Sequence, residues 1–203
     1  DYFNDTYMCY NNNKLEKSTL NTIKAAIQLE NVDLLVLSDS CKDICNELIH
    51  IKNINNIFIN ENDAFKNQLA EDSANFIAKN LKDYTNILFS NTSNGKNIAP
   101  RLAGLLDTMI IPDVIEIVDK QTFKRPIYAG NAIATCKSKN KINIITIRST
   151  AFEEAETSDE NVGEVKEIGS LTTNNLTKYL NSELTKSERP ELTSADIVVS
   201  GGR

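Results

Sequence analysis

Residues 18–37, STLNTIKAAIQLENVDLLVL, join an amphipathic segment to a short apolar run, and this order decides the fold. Apolar side chains recur at helical spacing at Leu20, Ile23, Ala26 and Ile27. This spacing predicts a helix over residues 18–30, and Ser18 is of the type that caps a helix N-terminus. The continuous apolar run at 33–37 is typical of a strand covered on both faces in a parallel sheet.

The same alternation continues along the chain. Helical patterns occupy residues 41–51, 70–82 and about 96–107, and strand-like apolar runs occupy 57–59 and 86–89. Connections of this length predict right-handed crossovers and a mostly parallel, twisted sheet with helices on both faces. Shorter strand-like segments then follow at 114–118, 123–128, 131–136 and 142–148. The predicted class is α/β, and we expect these later strands to form an antiparallel meander that extends the main sheet or packs against it.

Composition excludes several classes of protein. Of the 203 residues, 40% are hydrophobic and 25% are charged, which is ordinary for a soluble globular protein. The longest apolar runs fall well short of the roughly 18 residues that a membrane span needs. The net charge of −6 argues against nucleic acid as a partner, because phosphate binding needs clustered lysine and arginine. Four scattered cysteines in a chain of this size favour a reducing compartment.

The composition shifts sharply from Phe152 to Gly169, where seven acidic residues accompany one lysine. Such a stretch is typical of a solvated linker. Beyond it, residues 176–184 have a short helical pattern and 195–200 have the pattern of a strand. We therefore predict three parts: an N-terminal α/β domain over 1–151, an acidic linker with a short helix over 152–193, and the first strand and turn of a further domain over 194–203.

The two ends of the sequence suggest a trimmed product. The first residue is Asp1 rather than a methionine, and no secretory signal pattern precedes the first structured segment. At the other end, Ser200-Gly201-Gly202 follows an apolar segment, a pattern typical of a turn that leads into more structure. We expect the natural chain to continue past Arg203.

Candidate catalytic and metal-binding residues are few. Cys41 and Cys45 lie four apart on one predicted helix face, but without a second cysteine pair or a nearby histidine they indicate helix packing rather than a metal or redox site. His50 is the single histidine and stands at the C-terminal end of a predicted helix. The helix dipole favours a cation there, which is a simpler explanation of this histidine than catalysis. The sequence predicts no catalytic residues and no metal ligands.

Two turns have the composition of binding sites, although each also has an ordinary structural interpretation. Residues 94–97, NGKN, follow an apolar strand and precede a helix, so their backbone N–H groups could face an anion. They lack the spacing of a Walker loop or a dinucleotide fingerprint, which favours an ordinary turn. Residues 125–132, RPIYAGNA, predict a tight hairpin whose Arg125 and Tyr128 either anchor an interface or cap the sheet.

Several stretches in order resemble the alpha subunits of the electron transfer flavoprotein family. They are NGKN at 94–97 with Pro100-Arg101, RPIYAGNA at 125–132, RSTAF at 148–152, KSERPELT at 186–193 and SGGR at 200–203. The resemblance covers about residues 18–203. Three departures are Ser149, where the family pattern has glycine, Pro112, where it usually has serine, and a first segment over 1–10 that is more polar than the family's first strand.

The resemblance implies a subunit of an FAD-dependent electron carrier rather than an enzyme. Such carriers are alpha/beta heterodimers that take electrons from acyl-CoA and related dehydrogenases and pass them to electron transfer flavoprotein-ubiquinone oxidoreductase. It implies an adenine nucleotide alpha hydrolase-like fold for the N-terminal domain, which serves as scaffold and subunit interface, and AMP bound in the beta subunit. One FAD per heterodimer would be held mostly by the C-terminal domain of alpha.

The cofactor-binding residues that the resemblance carries over to this chain are Gly201, Gly202 and Arg203. A fixed guanidinium beside a flavin favours its anionic reduced forms, and the two glycines let the backbone approach. The implied location is a bacterial cytoplasm or a mitochondrial matrix. An alternative interpretation remains open at this stage: a module that binds an adenine nucleotide through residues 94–97 and transfers no electrons.

Overall fold

The computed structural model describes residues 5–9, 15–160, 162–171, 173, 177–181, 183 and 197–202, the first of these as backbone only. Among these residues there are four α-helices and ten β-strands. The helices are α1 (Lys17–Ile27), α2 (Lys42–Leu48), α3 (Ala70–Asn80) and α4 (Ser93–Leu105). The strands are β1 (Asp5–Cys9), β2 (Val32–Ser38), β3 (Ile54–Glu61), β4 (Asn86–Ser90), β5 (Ile110–Val114), β6 (Glu116–Asp119), β7 (Thr122–Ile127), β8 (Ala132–Lys137), β9 (Asn143–Ile147) and β10 (Glu164–Glu167).

The main sheet confirms the predicted α/β class. Its strands lie in the order β10-β3-β2-β1-β4-β9-β5, and all of its pairings are parallel. Strands β2, β4 and β9 are buried along their whole length, as expected for central strands covered on both faces. The strand order reverses between β1 and β4, which are neighbours although two strands separate them in sequence.

Helices cover both faces of this sheet. One core cluster joins α1 and α2 to Leu34 and Val36 of β2, and the other joins α3 and α4 to Leu35 and Leu37 of the same strand. Successive side chains of a strand point to opposite faces, so this short apolar run supplies both cores at once. The second core contains an edge-to-face contact between Phe65 and Phe76, whose ring centroids lie 5.8 Å apart.

Helix α1 begins differently from the prediction. Its N-cap is Glu16, which makes no side-chain capping hydrogen bond, and Ser18 lies inside the first turn. The Ser18 Oγ donates a hydrogen bond to the Glu16 carboxylate at 3.2 Å. The prediction of Ser18 as N-cap was therefore wrong by two residues, because Leu15 and Leu20 both pack against the first core and place the helix start earlier.

The antiparallel extension is present as a separate three-stranded meander, β6-β7-β8. Phe123 of β7 is fully buried in the first core, so the meander packs against the main domain. The segment predicted at 142–148 does not belong to it. It forms β9, which lies between β4 and β5 in the main sheet and is parallel to both. Strand β9 is buried along its whole length, as expected of a central strand of the main sheet. Its short spacing from β8 in sequence was therefore a poor guide to its neighbours.

The acidic segment after Phe152 differs from a solvated linker. Its backbone donates hydrogen bonds to the domain from Ala155, Ser158 and Val162, at 2.7–3.2 Å. Residues 164–167 then form β10, which pairs in parallel with β3 and covers that edge of the sheet. The acidic side chains stay in solvent, and some of them pair with lysines, as Glu156 does with Lys24 and Lys52. A backbone can join a sheet edge while its charged side chains remain hydrated, which composition alone does not reveal.

The last predicted elements are described only in part. Residues 177–181 and 183 of the predicted helix at 176–184 lie outside any helix or strand, and so do residues 197–200 of the predicted strand at 195–200. The rest of both segments lies outside the described residues, so the boundary near residue 190 stays a prediction. No helix in the described part of the chain is both long enough and apolar enough to cross a membrane.

Candidate functional site

An open cleft lies where β5 and β9 end, beside the turn that joins β7 to β8. Its volume is about 440 Å³. The lining residues are Asp113, Arg125, Pro126, Ile127, Tyr128, Ala129, Gly130 and Arg148. The carboxyl ends of parallel strands are the usual binding edge of an α/β sheet, because the loops that leave them meet there. The structure thus brings the predicted hairpin 125–132 and the start of the RSTAF stretch at 148–152 to one place.

Asp113 and Arg148 form the fixed wall of this cleft. Arg148 Nε donates to Asp113 Oδ1 at 2.9 Å, and Arg148 Nη2 donates to Asp113 Oδ2. Asn91, which follows β4, donates to the same Asp113 Oδ1 at 2.7 Å, and the Asp113 N–H donates to Thr146 Oγ1 at 2.8 Å. Hydrogen bonding to Asp113 raises the pKa of the Arg148 guanidinium. One carboxylate therefore ties together the ends of β4, β5 and β9.

The backbone at Asp113 is unusual in a strand. Its φ is 62°, in the left-handed region, and the register of β5 against β9 shifts between Ile111 and Val114. Aspartate accepts this conformation more readily than most residues. Pro112, a departure from the family pattern, stands in the irregular part of an edge strand, where its missing N–H breaks no ladder.

The turn between β7 and β8 forms the opposite wall. Ile127 pairs with Ala132 across the hairpin, which confirms the predicted tight turn. Tyr128, Ala129 and Gly130 all have positive φ, at 51°, 54° and 92°. Two consecutive non-glycine residues in this region store backbone strain, and such strain is common at binding surfaces. The turn presents Tyr128 with 79% of its surface exposed.

Arg125 is the second arginine of the cleft, and it forms no ion pair with a carboxylate of the described residues. It lies on β7 opposite Ala134, on the same face of the meander as the buried Phe123. Its Nε atom is buried and has no hydrogen-bond partner among the described residues. A buried guanidinium N–H without an acceptor is costly, so the Arg125 Nε is a polar group that the described residues leave unsatisfied.

Among the described residues, the turn at 94–97 serves to start helix α4. Helix α4 starts at Ser93, so these residues form its first turn, and Thr92 caps it by accepting a hydrogen bond from the Gly95 N–H at 3.3 Å. The Lys96 N–H donates to the Thr92 carbonyl at 2.9 Å. A Cβ at position 95 would lie 1.9 Å from the Ser90 carbonyl oxygen. Gly95 therefore allows α4 to pack against the end of β4.

The crevice between β1 and β4, where the strand order reverses, is the place at which open α/β sheets usually bind ligands. Here α1 is tied to the end of β4. Ser90 Oγ donates to the Ser18 carbonyl at 3.1 Å and lies 2.9 Å from Thr22 Oγ1. Among the described residues, these polar groups bind one another rather than pointing into a cavity.

Cys41 and Cys45 are buried thiols in the first core, which agrees with a packing role. Burial, followed by the charges of Cys45 and Glu61, raises the pKa of Cys41 to about 12, and burial also raises the pKa of Cys45. Such thiols remain protonated and unreactive at neutral pH. The described residues contain no group of three or more His, Cys, Asp or Glu side chains arranged to hold a metal ion.

His50 follows α2 and is partly buried, and its Nδ1 has no hydrogen-bond partner in the described structure. Its carbonyl accepts a hydrogen bond from the Ser158 N–H at 2.7 Å, so the residue helps to hold the acidic segment. No nucleophile of the described residues is hydrogen-bonded to its ring.

The residues that the resemblance carries over for flavin binding do not form a cradle in the described part of the chain. Gly201 and Gly202 are exposed, and an added Cβ at either would meet nothing within 4 Å. Arg203 lies outside the described residues. The role of these three residues in holding FAD remains a prediction.

Sequence reasoning missed Asp113, which organises the cleft. A proline followed by a carboxylate inside an apolar strand pattern, IIPDV at 110–114, was the available signal, because both residues interrupt the apolar run. Arg125 and Tyr128 were noted only as an interface or cap of the hairpin, and the unsatisfied Nε of Arg125 needed the structure.

Comparison with known proteins connects the fold to a family. The family model described as the electron transfer flavoprotein domain matches residues 9–170. The electron transfer flavoprotein subunit alpha of Pseudomonas aeruginosa is 38% identical over 195 residues, which is 96% of this chain and 63% of that protein. The mitochondrial electron transfer flavoprotein subunit alpha of Dictyostelium discoideum is 40% identical over 210 residues, which is 96% of this chain and 59% of that protein.

The chain thus spans less than two thirds of the length of either relative. The matched region of this chain includes the meander, the acidic segment with β10, and the whole main sheet except residues 5–8 of β1. The agreement extends over most of the chain and not over one motif. The chain therefore belongs to the electron transfer flavoprotein family.

Proposed function

We propose that this chain is the N-terminal part of an electron transfer flavoprotein alpha subunit, an electron carrier without substrate turnover of its own. The observation that carries the proposal is the family match over residues 9–170 together with relatives named as alpha subunits. A bacterial cytoplasm and a mitochondrial matrix both fit a family with bacterial and mitochondrial members.

In this proposal the described residues act as a scaffold. Two cores fix the main sheet, β10 covers the β3 edge, and the Asp113–Arg148 pair fixes the cleft at the other end of the sheet. The partner is an electron transfer flavoprotein beta subunit that carries AMP. The meander and its strained turn, with Tyr128 and Ile133 exposed, have the aromatic and aliphatic character of an interface.

The cofactor in this proposal is one FAD per heterodimer, whose chemistry when bound is to take up and release one or two electrons. Gly201, Gly202 and Arg203 would contribute to its site, with most of the site supplied by chain beyond Arg203. Electrons would arrive from acyl-CoA and related dehydrogenases and leave to a quinone oxidoreductase.

The alternative of an adenine-nucleotide module that uses residues 94–97 has weaker support. Two of the amide groups of that turn already donate to Thr92, and Gly95 is explained by its approach to Ser90. The helix N-terminus alone is an ordinary feature of the fold.

Copurification with the beta subunit tests the proposal. The alpha chain extended to the length of its relatives is coexpressed with the beta subunit, and the visible absorption spectrum is compared with that of the 203-residue chain expressed alone. We expect a flavin spectrum in the complex and none in the shorter chain. A complex that forms without flavin would contradict the cofactor, and bound AMP in the 203-residue chain alone would favour the nucleotide module.

A further inference from the structure

The two sheets of the described structure end in four edge strands, β10 and β5 in the main sheet and β6 and β8 in the meander. Three of these edges are protected against further pairing. Strand β10, EVKE, is charged at three of its four positions. Strand β5 contains Pro112 and shifts its register beside Asp113, whose φ is 62°. Strand β6, EIVD, begins and ends with a carboxylate and also shifts its register. Charge, proline and irregular register are the usual protections of an exposed edge.

Strand β8 is the edge that lacks these protections. It pairs with β7 over six consecutive residues without a shift in register, and it contains no proline. Its first five residues, AIATC at 132–136, carry no charge, and Ile133 is 62% exposed. A regular, uncharged and partly apolar edge strand is a template for pairing with another strand. The meander therefore ends at an edge that is suited to a further strand.

The ladder between β7 and β8 shows which backbone groups face this free edge. Antiparallel ladders alternate between hydrogen-bonded pairs and pairs whose N–H and C=O groups point away from each other. The Lys124 carbonyl accepts a hydrogen bond from the Ile115 N–H at 2.9 Å, on the β6 side of β7. Thr135, the partner of Lys124 in β8, therefore belongs to a pair of the second kind. By alternation, Ile133, Thr135 and Lys137 direct their N–H and C=O groups to the free edge.

The side chains along this edge are apolar at one end and positive at the other. Ile133, Thr135 and Lys137 are exposed, because the residues between them share a face with the buried Phe123. Lys137 begins the run KSKNK at 137–141, whose three lysines are exposed. None of these lysines forms a salt bridge in the part of the chain that the structure describes. Residues 132–142 contain no acidic residue that could neutralise them.

We propose that an extended segment of the beta subunit adds to β8 as a fourth strand of the meander. This docking mode rests on the proposed function, because the partner is the beta subunit. Backbone hydrogen bonds along the edge provide affinity, and alternate side chains provide specificity. The incoming segment carries an apolar side chain beside Ile133 and an acidic one beside Lys137. A second copy of β8 has no acidic residue to place there, which favours a different chain as the occupant.

Residue-resolved hydrogen exchange tests strand addition on the extended alpha chain, alone and in complex with the beta subunit. We expect the amides of Ala134 and Cys136 to be protected in both states, because they face β7. The amides of Ile133, Thr135 and Lys137 should slow by about tenfold or more in the complex only. The amides of β6, at the other edge of the meander, are the control and should not change. Protection of alternate amides is the signature of a new strand, since contact between side chains does not select them.

Substitution at the edge tests the same contact through affinity. The dissociation constant of the complex is measured for wild type, Ile133→Lys and the control Val118→Lys. Val118 is 50% exposed on β6, at the opposite edge of the meander. We expect about a tenfold weakening for Ile133→Lys, the size of a modest hot spot, and less than about twofold for the control.

Association kinetics test the positive end of the edge. Lys137→Glu should slow association with the beta subunit by about threefold at low salt, and the difference should vanish at high salt. Lys66→Glu makes the same change of charge at an exposed lysine outside the meander, and we expect it to leave the rate unchanged. Equal rates for the two variants would contradict an acidic side chain beside Lys137.

The outcomes separate the docking mode from the proposed function. The docking mode is overturned if the amides of Ile133, Thr135 and Lys137 exchange as fast in the complex as in the free chain, or if Ile133→Lys binds as tightly as Val118→Lys. Flavin in that complex would still support the carrier function. Protection of the three amides that rises with the concentration of the alpha chain alone would identify a second copy as the occupant and overturn the assignment to the beta subunit.

Discussion

Asp113 holds Arg148 through both of its carboxylate oxygens, and this pair joins the end of β5 to the end of β9. Arg148 also donates its backbone N–H to the Val114 carbonyl at 2.9 Å, so side chain and backbone connect the same two strands. The side chains are 22% and 44% exposed for Asp113 and Arg148, so solvent weakens the pair without removing it.

Asp113→Asn tests the importance of this pair. The amide keeps the size and the tolerance of positive φ but loses the charge and one acceptor, so the free energy of unfolding falls by about 1 kcal/mol. Urea denaturation measures the change. Asp107→Asn is the matched control, because Asp107 is an exposed aspartate whose φ is 50°, and we expect a change within about 0.5 kcal/mol. Equal effects of the two substitutions would contradict the assigned role of Asp113.

Gly95→Ala tests the close approach of α4 to β4. The added Cβ would stand 1.9 Å from the Ser90 carbonyl oxygen, a backbone atom that cannot rotate away. The helix has to shift, and we expect a loss of about 2 kcal/mol in the free energy of unfolding. Gly104→Ala in the same helix meets nothing within 4 Å, and it should stabilise the chain by about 0.5 kcal/mol. Thermal and urea unfolding of both variants check the opposite signs.

Hydrogen exchange tests the docking of the acidic segment. The N–H groups of Ala155, Ser158, Val162 and Ile168 donate to backbone carbonyls of the domain. We expect these four amides to exchange more slowly than the amides of Glu153 and Glu154, for which no such backbone bond is formed in the described residues. Residue-resolved exchange at neutral pH measures the difference. Exchange of the whole segment at the rate of an unstructured peptide would restore the linker interpretation.

The raised pKa of Cys41 predicts how stability responds to alkali. Its pKa moves from about 9 in the unfolded chain to about 12 in the folded one, because burial disfavours the thiolate. The folded state therefore binds the proton more tightly, and the contribution of this thiol is complete below pH 9 and is lost between pH 9 and 12. Cys41→Ala should make the decline in stability over that range less steep.

The alkaline comparison needs two measurements. Urea midpoints of wild type and Cys41→Ala are compared at pH 8 and at pH 10, since the variant also loses packing at both values. We expect the difference between the two proteins to shrink at pH 10. A difference that does not depend on pH would show that the thiol does not titrate differently in the folded state.

Only part of the main sheet followed from the sequence: apolar runs predicted β2, β3 and β4, because a buried parallel strand requires an unbroken apolar run. The place of β9 in the sheet did not follow, since periodicity contains no information about which strands become neighbours. β10 was missed for a different reason. Its four residues, EVKE, are all exposed, and only its backbone joins the sheet.

The sequence did not predict the cleft. The hairpin at 125–132 and the RSTAF stretch at 148–152 were both noted in the sequence, but their meeting at one edge depends on the position of β9 beside β5. Asp113 pairs with Arg148 and not with Arg125. The sequence does not show which arginine lies beside this carboxylate, because that depends on how the strands are arranged in space. The glycine at 95 was visible in sequence, while the carbonyl that requires it was not.

The measurement that tests the central claim most directly is the flavin content of the extended alpha chain purified with its beta subunit. The account predicts about one FAD per heterodimer, released on denaturation and identified by its spectrum and mass. It predicts no flavin in the 203-residue chain alone. A stable alpha/beta complex that contains no flavin would contradict the claim that this chain is the scaffold of an electron carrier.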